Sequence, residues 1–436
     1  MASAQAIAAP VTQPACPALV GDAPTVVAAR RPRGGLWREL LTAPGVKRLV
    51  AATFAGRVSA SMLPLGLMLV ANAQTGSIAY AGVLTGAFAA ASAGAGFLQV
   101  RLQTWFGPRA VFGCLSVIST ASVAVVLAAM MAGAPRALII ALGVVAGLAR
   151  PYTASAMRGV WRGILDDPRK KLAAEAFEAT TFPLAFSVGP IALAVITSLS
   201  DPQTALIAAA AIGGLATATF AGSPLLGQGT RASGRPRRGN WFEVDWRLGC
   251  LVLIALTMFC GSEAAPVVVA ALGGGHMSGA EFEVLLSFLP VGGVVGGAAF
   301  AAIRSSKSVE AQLVAALTVL AFGLTALSQF HGPLTIAIAV FVVGIARAPA
   351  IACLFHLAGD SGSRRSVDAI AWIAMTSYLG GALCRPLAGF LAEGPGPHAA
   401  GVAVTVPLVA ALLAVGVVVV SRRPARQISI ALATDP

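Results

Sequence analysis

Long apolar stretches separated by short polar breaks run from residue 49 to residue 421 of the chain. A helix that crosses a membrane needs about 20 consecutive apolar residues, and these stretches have that length. Charged residues and clusters of glycine and proline mark where each stretch ends. The pattern predicts twelve spans. The first six cover 48–71, 78–100, 110–132, 137–157, 173–199 and 203–224, and the second six cover 248–272, 280–303, 310–330, 334–357, 368–391 and 400–421.

The composition places these stretches in lipid rather than in the core of a soluble protein. Hydrophobic residues make up 57% of the chain and charged residues 11%, with a mean hydropathy of +0.83. A soluble domain carries about 25% charged residues, which it needs to cover its surface. The six cysteines lack the spacing of metal ligands or of a CxxC pair, so we interpret them as small packing residues. The predicted fold class is an all-α membrane protein.

The distribution of basic residues predicts the orientation. With a cytoplasmic N-terminus, only Arg136 of the 30 Lys and Arg residues falls in an external loop, and four fall inside spans. All the others fall in the tails and loops that are then cytoplasmic, as the positive-inside rule requires. We therefore expect a multi-pass protein of a bacterial cytoplasmic membrane with both termini inside. The net charge of +13 follows from this topology and does not indicate a nucleic-acid partner.

The chain divides into two similar halves. The sequence GLARP at 147–151 is repeated as GIARAP at 344–349, and Gly189-Pro190 aligns with Arg385-Pro386 at nearly the same offset. Matches in a common order at a common offset are typical of a parallel repeat. The predicted units are a disordered cytoplasmic tail with a short interfacial helix (1–45), a six-helix bundle (46–224), a cytoplasmic linker (225–247), a second six-helix bundle (248–421) and a cytoplasmic tail (422–436).

Twelve spans in two sets of six, with the ends and the middle loop inside, resemble the major facilitator superfamily. The first span, which contains GRVSASMLPLGLMLV (56–70), is similar to that of drug-efflux members. The family signature between spans two and three is Gly-x-Leu-x-Asp-Arg-x-Gly-Arg. Here the loop reads VRLQTWFGPR (100–109), so that Gly107 and Arg109 are kept with Pro108 between them, while Val100, Thr104 and Trp105 replace the Gly, Asp and Arg.

Two antiporter motifs of the same family are matched in part. Arg150 matches the arginine of the fourth-span motif, with Ala154 where the family has glycine. The fifth-span motif appears as AFSVGPIALA and keeps only Gly189-Pro190. The resemblance implies a transporter that works by alternating access, most similar to proton-coupled exporters.

Six charged residues lie inside predicted spans, where an arginine at mid-depth costs about 2.5–3.5 kcal/mol unless it faces a cavity or a partner. They are Arg57, Arg150, Arg347, Arg385, Glu178 and Glu263. Two interpretations remain open for Arg150 and Arg347. They are structural charges paired with Glu178 or Glu263, or they line a central cavity beside prolines that break the helices. The expected helix-breaking residues near this cavity are Pro151, Gly189, Pro190 and Pro349.

Glu263 is the candidate for proton coupling, because a carboxylate in a low-dielectric site binds protons near neutral pH, and the approach of Arg57 or Arg150 would release them. The alternative is that Glu263 is only a counter-ion for an arginine. A cavity that holds Arg57, Arg150 and Arg347 against one deep carboxylate further predicts a preference for anionic, amphipathic solutes.

These observations predict a secondary transporter that exports a small amphipathic compound, such as a drug or secondary metabolite, with the proton gradient as energy source and no cofactor. The alternatives are import of a small organic anion, or a receptor or scaffold with the same fold. An enzyme is not expected, since no HExxH motif, mid-span histidine or GxxxxGK[ST] loop is present. The expected partners are the small-molecule substrate and the lipid bilayer, and we expect a monomer without bound metal.

Overall fold

The computed structural model describes residues 44–165, 167–226, 246–273, 279–302, 308–329, 332–359, 365–403 and 405. The described residues form helices joined by short turns. The N-terminal half contains α1 (Val46–Thr75), α2 (Ile78–Phe106), α3 (Pro108–Met131), α4 (Arg136–Ala149), α5 (Ala154–Ile164), α6 (Pro168–Leu199) and α7 (Pro202–Ala221). The C-terminal half contains α8 (Trp246–Leu272), α9 (Gly279–Ala302), α10 (Val309–Gln329), α11 (Pro333–Gly359), α12 (Arg365–Glu393) and a helical segment over 397–403.

The all-α membrane fold is confirmed. By length and composition, seven of the described helices can cross a membrane, and shorter apolar helical stretches lie at Arg136–Ala149, Leu184–Leu199 and Val284–Phe300. Ten of the predicted spans coincide with one helix each, and the fourth coincides with α4 and α5 together. Most of the twelfth span and most of the linker lie outside the described residues. So do the C-terminal tail and nearly all of the N-terminal tail, including its predicted interfacial helix.

Helices at equivalent places in the two halves pack in the same way. In the N-terminal half α2 packs on α4 and α1 packs on α6; in the C-terminal half α9 packs on α11 and α8 packs on α12. The two halves meet mainly where α2 contacts α12 and where α6 contacts α9. This arrangement is the one expected of a parallel repeat of six helices.

The repeated sequence marks an equivalent contact in each half. A Cβ atom on Gly147 of α4 would lie 2.4 Å from the carbonyl oxygen of Phe88 in α2. A Cβ atom on Gly344 of α11 would lie 2.0 Å from the carbonyl oxygen of Leu289 in α9. Because glycine lacks this atom, the two backbones touch, as small residues allow between membrane helices.

The break expected at Pro151 is formed, so span four consists of two helices. Helix α4 ends at Ala149, Arg150 is extended (φ −61°, ψ 122°), and helix α5 begins at Ala154. Pro151 explains the break, because a proline disfavours helical geometry in the residue before it.

The breaks expected at the other prolines are not formed, and this corrects the prediction. Helix α6 runs through Gly189 and Pro190, and α11 runs through Pro349. Pro349 frees the carbonyl of Ile345, and this oxygen packs against Gly296 of α9, where a Cβ atom would lie 2.1 Å away. Tight packing of this kind holds a helix in one piece around its proline.

We predict that Gly147→Ala and Gly344→Ala each destabilise the protein, because the new methyl group forces two helix backbones apart. Overpacking of this kind costs about 1–3 kcal/mol. The thermal midpoint of the purified protein in detergent measures the effect. Gly113→Ala is the matched control: no described atom lies within 4 Å of its Cβ position, so helix propensity makes this change neutral or slightly stabilising. Equal midpoints in all three variants would contradict the packing role.

Candidate functional site

The break in span four opens onto a cavity at the meeting of the two halves. Its volume is about 60 Å³. Arg150, Pro151, Tyr152 and Thr153 form one wall, and Tyr378 of α12 is the residue of the C-terminal half that lines it. The remaining lining residues come from α1, α3, α4, α6 and α7, and they include Arg57, Ser59, Ser119, Phe186 and Thr217.

Arg150 projects from the break toward the other half of the protein. Its Cζ atom lies 5.2 Å from the centroid of the Tyr378 ring, which is a cation–π contact. Its Nε is buried and has no hydrogen-bond partner, and within the described ranges no carboxylate forms an ion pair with it. Arg150 therefore brings a positive charge to the cavity that no described side chain neutralises.

Gln99 of α2 completes the backbone hydrogen bonds at the break. Its Nε2 donates to the carbonyl oxygen of Arg150 at 2.6 Å, and its Oε1 accepts from the backbone N–H of Tyr152 at 2.8 Å. Gln99 is fully buried. Since a backbone group without a partner costs several kcal/mol in hydrocarbon, this one side chain makes the irregular segment stable at membrane depth.

Arg57 lines the same cavity but forms an ion pair with Glu178 of α6. Its Nη1 also donates to Thr181 Oγ1 at 3.1 Å. Trp161 of α5 donates from Nε1 to the other oxygen of Glu178 at 3.3 Å. The pair joins α1 to α6 within the N-terminal half, and its two charges cancel.

Glu263 of α8 lies in a separate cluster within the C-terminal half. Its Oε1 accepts from Arg347 at 2.7 Å, and its Oε2 accepts from Arg385 at 2.6 Å. Arg347 also lies 5.7 Å from the ring centroid of Phe259. One carboxylate thus serves two arginines, and Arg385 Nη1 is buried without a partner among the described residues. The cluster keeps one net positive charge.

The six charged residues that the sequence singles out therefore separate into three groups. The structure does not bring Arg57, Arg150, Glu263 and Arg347 to one cavity: Arg57 and Arg150 line it, while Glu263 and Arg347 lie in the separate cluster. The expected approach of Arg57 or Arg150 to Glu263 is likewise not observed, because Arg347 and Arg385 occupy both of its oxygens. Arg347 on α11 and Arg385 on α12 both lie next to Glu263 on α8, and this proximity determines the pairing.

Three site residues are not singled out by the sequence pattern: Gln99, Tyr378 and Trp161. A neutral glutamine within an apolar run is the signal that Gln99 offers, since a buried amide needs partners. Gly189 has a packing role rather than a helix-breaking one: its Cβ position lies 1.7 Å from Ser61 Oγ of α1, so α6 approaches α1 closely there.

Arg109, which matches the family loop motif, binds the end of another helix. Its Nη2 donates to the carbonyl oxygens of Ser223 at 3.3 Å and Pro224 at 3.0 Å, just beyond α7. A cation at a helix C-terminus satisfies free carbonyls and is favoured by the helix dipole. Arg109 thus fixes the loop between α2 and α3 to its own half.

No family model matches the chain, and no curated protein matches it by sequence. Solved structures do share its fold. The nucleoside transporter NupG is 9% identical over 86% of this chain and 98% of its own, with a TM-score of 0.66. A POT family transporter in complex with 5-aminolevulinic acid is 13% identical over 86% of this chain and 95% of its own, with a TM-score of 0.62. The chain thus has the same fold as these solved transporters.

We predict that Gln99→Met lowers the thermal midpoint of the purified protein, because the carbonyl of Arg150 and the N–H of Tyr152 lose their partner. Each buried group left unpaired costs about 1–3 kcal/mol. Gln103→Met is the control. It lies one turn further along α2, and its buried Nε2 has no partner in the described structure, so its replacement is neutral or stabilising. A control that destabilises as much as Gln99→Met would contradict the assigned role.

Proposed function

We propose that the protein is a secondary active transporter that moves a small organic solute across the membrane by alternating access. The observation that carries the proposal is the position of the cavity. It lies where Arg150 of one half meets Tyr378 of the other, so any movement of the halves changes its walls. Sites at the interface of two repeats, beside a discontinuous helix, are the usual arrangement in secondary transporters. The shared fold with solved transporters supports the proposal.

Alternating access requires the halves to separate at one end at a time, and the end that we predict to be external is closed. Glu393 at the end of α12 accepts from Ser77 Oγ at 2.8 Å and from the backbone N–H of Ala79 at 2.9 Å. The partial positive charge at the N-terminus of α2 also stabilises the negative charge of Glu393. We call this contact the Glu393 latch.

Close backbone packing extends from the latch along α2 and α12. Cβ positions on Gly82 and Gly86 of α2 lie 2.6 Å from Arg385 O and Pro386 Cγ, respectively. A Cβ position on Gly389 lies 2.7 Å from Ala79 Cα. Toward the other end of α2, no described atom lies within 4 Å of the Gly94 Cβ position. The closed end is thus the one that contains the latch.

We expect a disulfide between Ser77→Cys and Glu393→Cys to stop transport, because it holds this end closed. Solute flux in proteoliposomes measures the effect, before and after oxidation and again after reduction. Flux should fall to background on oxidation and return with reductant. The two variants that carry only one of these substitutions control for the loss of the native contacts and for the cysteines already in the chain, and they should not respond to oxidation. Undiminished flux in the cross-linked protein would contradict alternating access at this interface.

Proton-coupled export of an amphipathic compound remains part of the proposal, and Glu263 remains the carboxylate proposed for coupling. Its protonation would release Arg347 and Arg385 together, which would change the contacts of α8 with α11 and α12. Import of an organic anion is the second candidate, and the unpaired charge of Arg150 favours it. Flux in both directions across vesicles of known orientation distinguishes the two.

We predict that Glu263→Gln abolishes accumulation driven by a pH gradient but keeps solute exchange at equal concentrations. Exchange needs no net proton movement, so it also shows that the variant is folded. The measurement is counterflow of labelled solute beside gradient-driven uptake in the same vesicles. Gradient-driven accumulation at the wild-type level in Glu263→Gln would exclude this residue as the coupling group. A protein that moves no solute in any assay would favour the receptor or scaffold alternative.

A further inference from the structure

We infer that the cavity contains a binding subsite for the anionic group of its ligand, a carboxylate or a phosphate, with Arg150 as the principal ligand-binding residue. The inference deepens the proposed function, on which it rests for the transport of that ligand. The binding of the anion is a separate property, and it is measurable without transport.

The distribution of charge is the first step. Among the arginines inside the spans, Arg57 is neutralised by Glu178, and Arg347 and Arg385 share Glu263. Within the described residues, Arg150 forms no ion pair, although it lies in the same low-dielectric region. A guanidinium without an anion is unfavourable at membrane depth, and such residues inside membranes normally mark a substrate or ion pathway. The missing negative charge is best supplied by a ligand.

The backbone around Arg150 presents the guanidinium to the cavity. Because Arg150 has an extended backbone, its side chain points away from the axis of α4. Gln99 fixes this conformation through hydrogen bonds with the carbonyl oxygen of Arg150 and with the backbone N–H of Tyr152. Helix α5 begins directly afterwards, and its N-cap residue, Thr153, lines the cavity without a side-chain capping bond. The partial positive charge of a helix N-terminus adds to that of Arg150.

The aromatic surroundings hold the guanidinium without using its hydrogen-bond donors. Tyr378 contacts Arg150 through the face of its ring, whereas the N–H groups of a guanidinium point outward in its own plane. Those donors fit a carboxylate or a phosphate in a two-pronged arrangement. Phe186 and Tyr152 add apolar surface to the same cavity, which suits a ligand with an aromatic or aliphatic body.

The size of the cavity limits what it holds in this conformation. A cavity of about 150 Å³ is enough for benzene, whereas this one measures about 60 Å³. It therefore has room for water or for a small head group rather than for a whole amphipathic solute. Since Tyr378 belongs to α12, a ligand body that enters beside Arg150 displaces a contact between the halves. Binding at this subsite would thereby favour their separation.

The test is a binding measurement on the purified full-length protein in detergent, with benzoate and phenyl phosphate as probes and neutral benzamide as the matched control. Isothermal titration calorimetry and the shift of the thermal midpoint report binding. We expect at least one of the two anions to bind and benzamide not to bind. Arg150→Gln should weaken anion binding by about tenfold or more, and Arg150→Lys by less, because the charge remains without the two-pronged geometry.

The stability of the variants separates a binding role from a structural one. Arg150→Gln removes a charge that has no described carboxylate partner, so its thermal midpoint without ligand should equal or exceed that of the wild type. Arg57→Gln leaves Glu178 without its ion-pair partner and should lower the midpoint. Arg109→Gln, distant from the cavity, should leave anion affinity unchanged.

Three results would overturn the subsite: binding of neither anion, equal binding of benzamide, or unchanged affinity in Arg150→Gln. Anion binding that depends on Arg150 in a protein that transports nothing would keep the subsite and reject the proposed transport. Transport of neutral solutes without anion binding would keep the proposed transport and reject the subsite.

Discussion

A charged group inside a membrane needs a partner, and this requirement organises the centre of the protein. Four arginines and two glutamates lie there, so the carboxylates are outnumbered. Glu178 holds α1 to α6, and Glu263 holds α11 and α12 to α8. Each carboxylate thereby joins helices of one half, and neither of these ion-pair groups ties one half to the other. The remaining charge, on Arg150, lies where the halves meet.

The same requirement applies to the backbone. An interrupted helix exposes N–H and C=O groups that hydrocarbon cannot satisfy. At the break in span four, the amide of Gln99 provides one acceptor and one donor in the places where the helix would have provided its own. Because Gln99 belongs to α2, which also packs against α12, the segment that presents Arg150 is fixed to a helix of the interface between the halves. A shift of α2 would move the break with it.

Much of the fold is predictable from the sequence because few backbone structures satisfy their own hydrogen bonds in lipid. Span length, charged breaks and the asymmetry of basic residues locate the helices. The pair of Arg347 with Glu263 was one of the alternatives that the sequence left open. The pair of Arg57 with Glu178 was not predictable, since the two residues are 121 positions apart and meet only because of how α1 and α6 are rotated about their axes. The role of Gln99 was not predictable for a similar reason: Pro151 indicates the break, but not which side chain of a neighbouring helix reaches its backbone groups.

The difference between GLARP and GIARAP explains why the two halves treat their arginines differently. In the first sequence the proline directly follows Arg150, so the arginine itself must leave the helix. In the second sequence Ala348 separates Arg347 from Pro349, and α11 stays helical through both residues. Arg347 therefore remains on a helix face from which it reaches Glu263 at 2.7 Å, whereas Arg150 turns toward Tyr378 in the opposite half. One inserted residue in an otherwise repeated sequence thus gives Arg347 an ion pair in one half, whereas Arg150 of the other half has no ion pair among the residues that the structure describes.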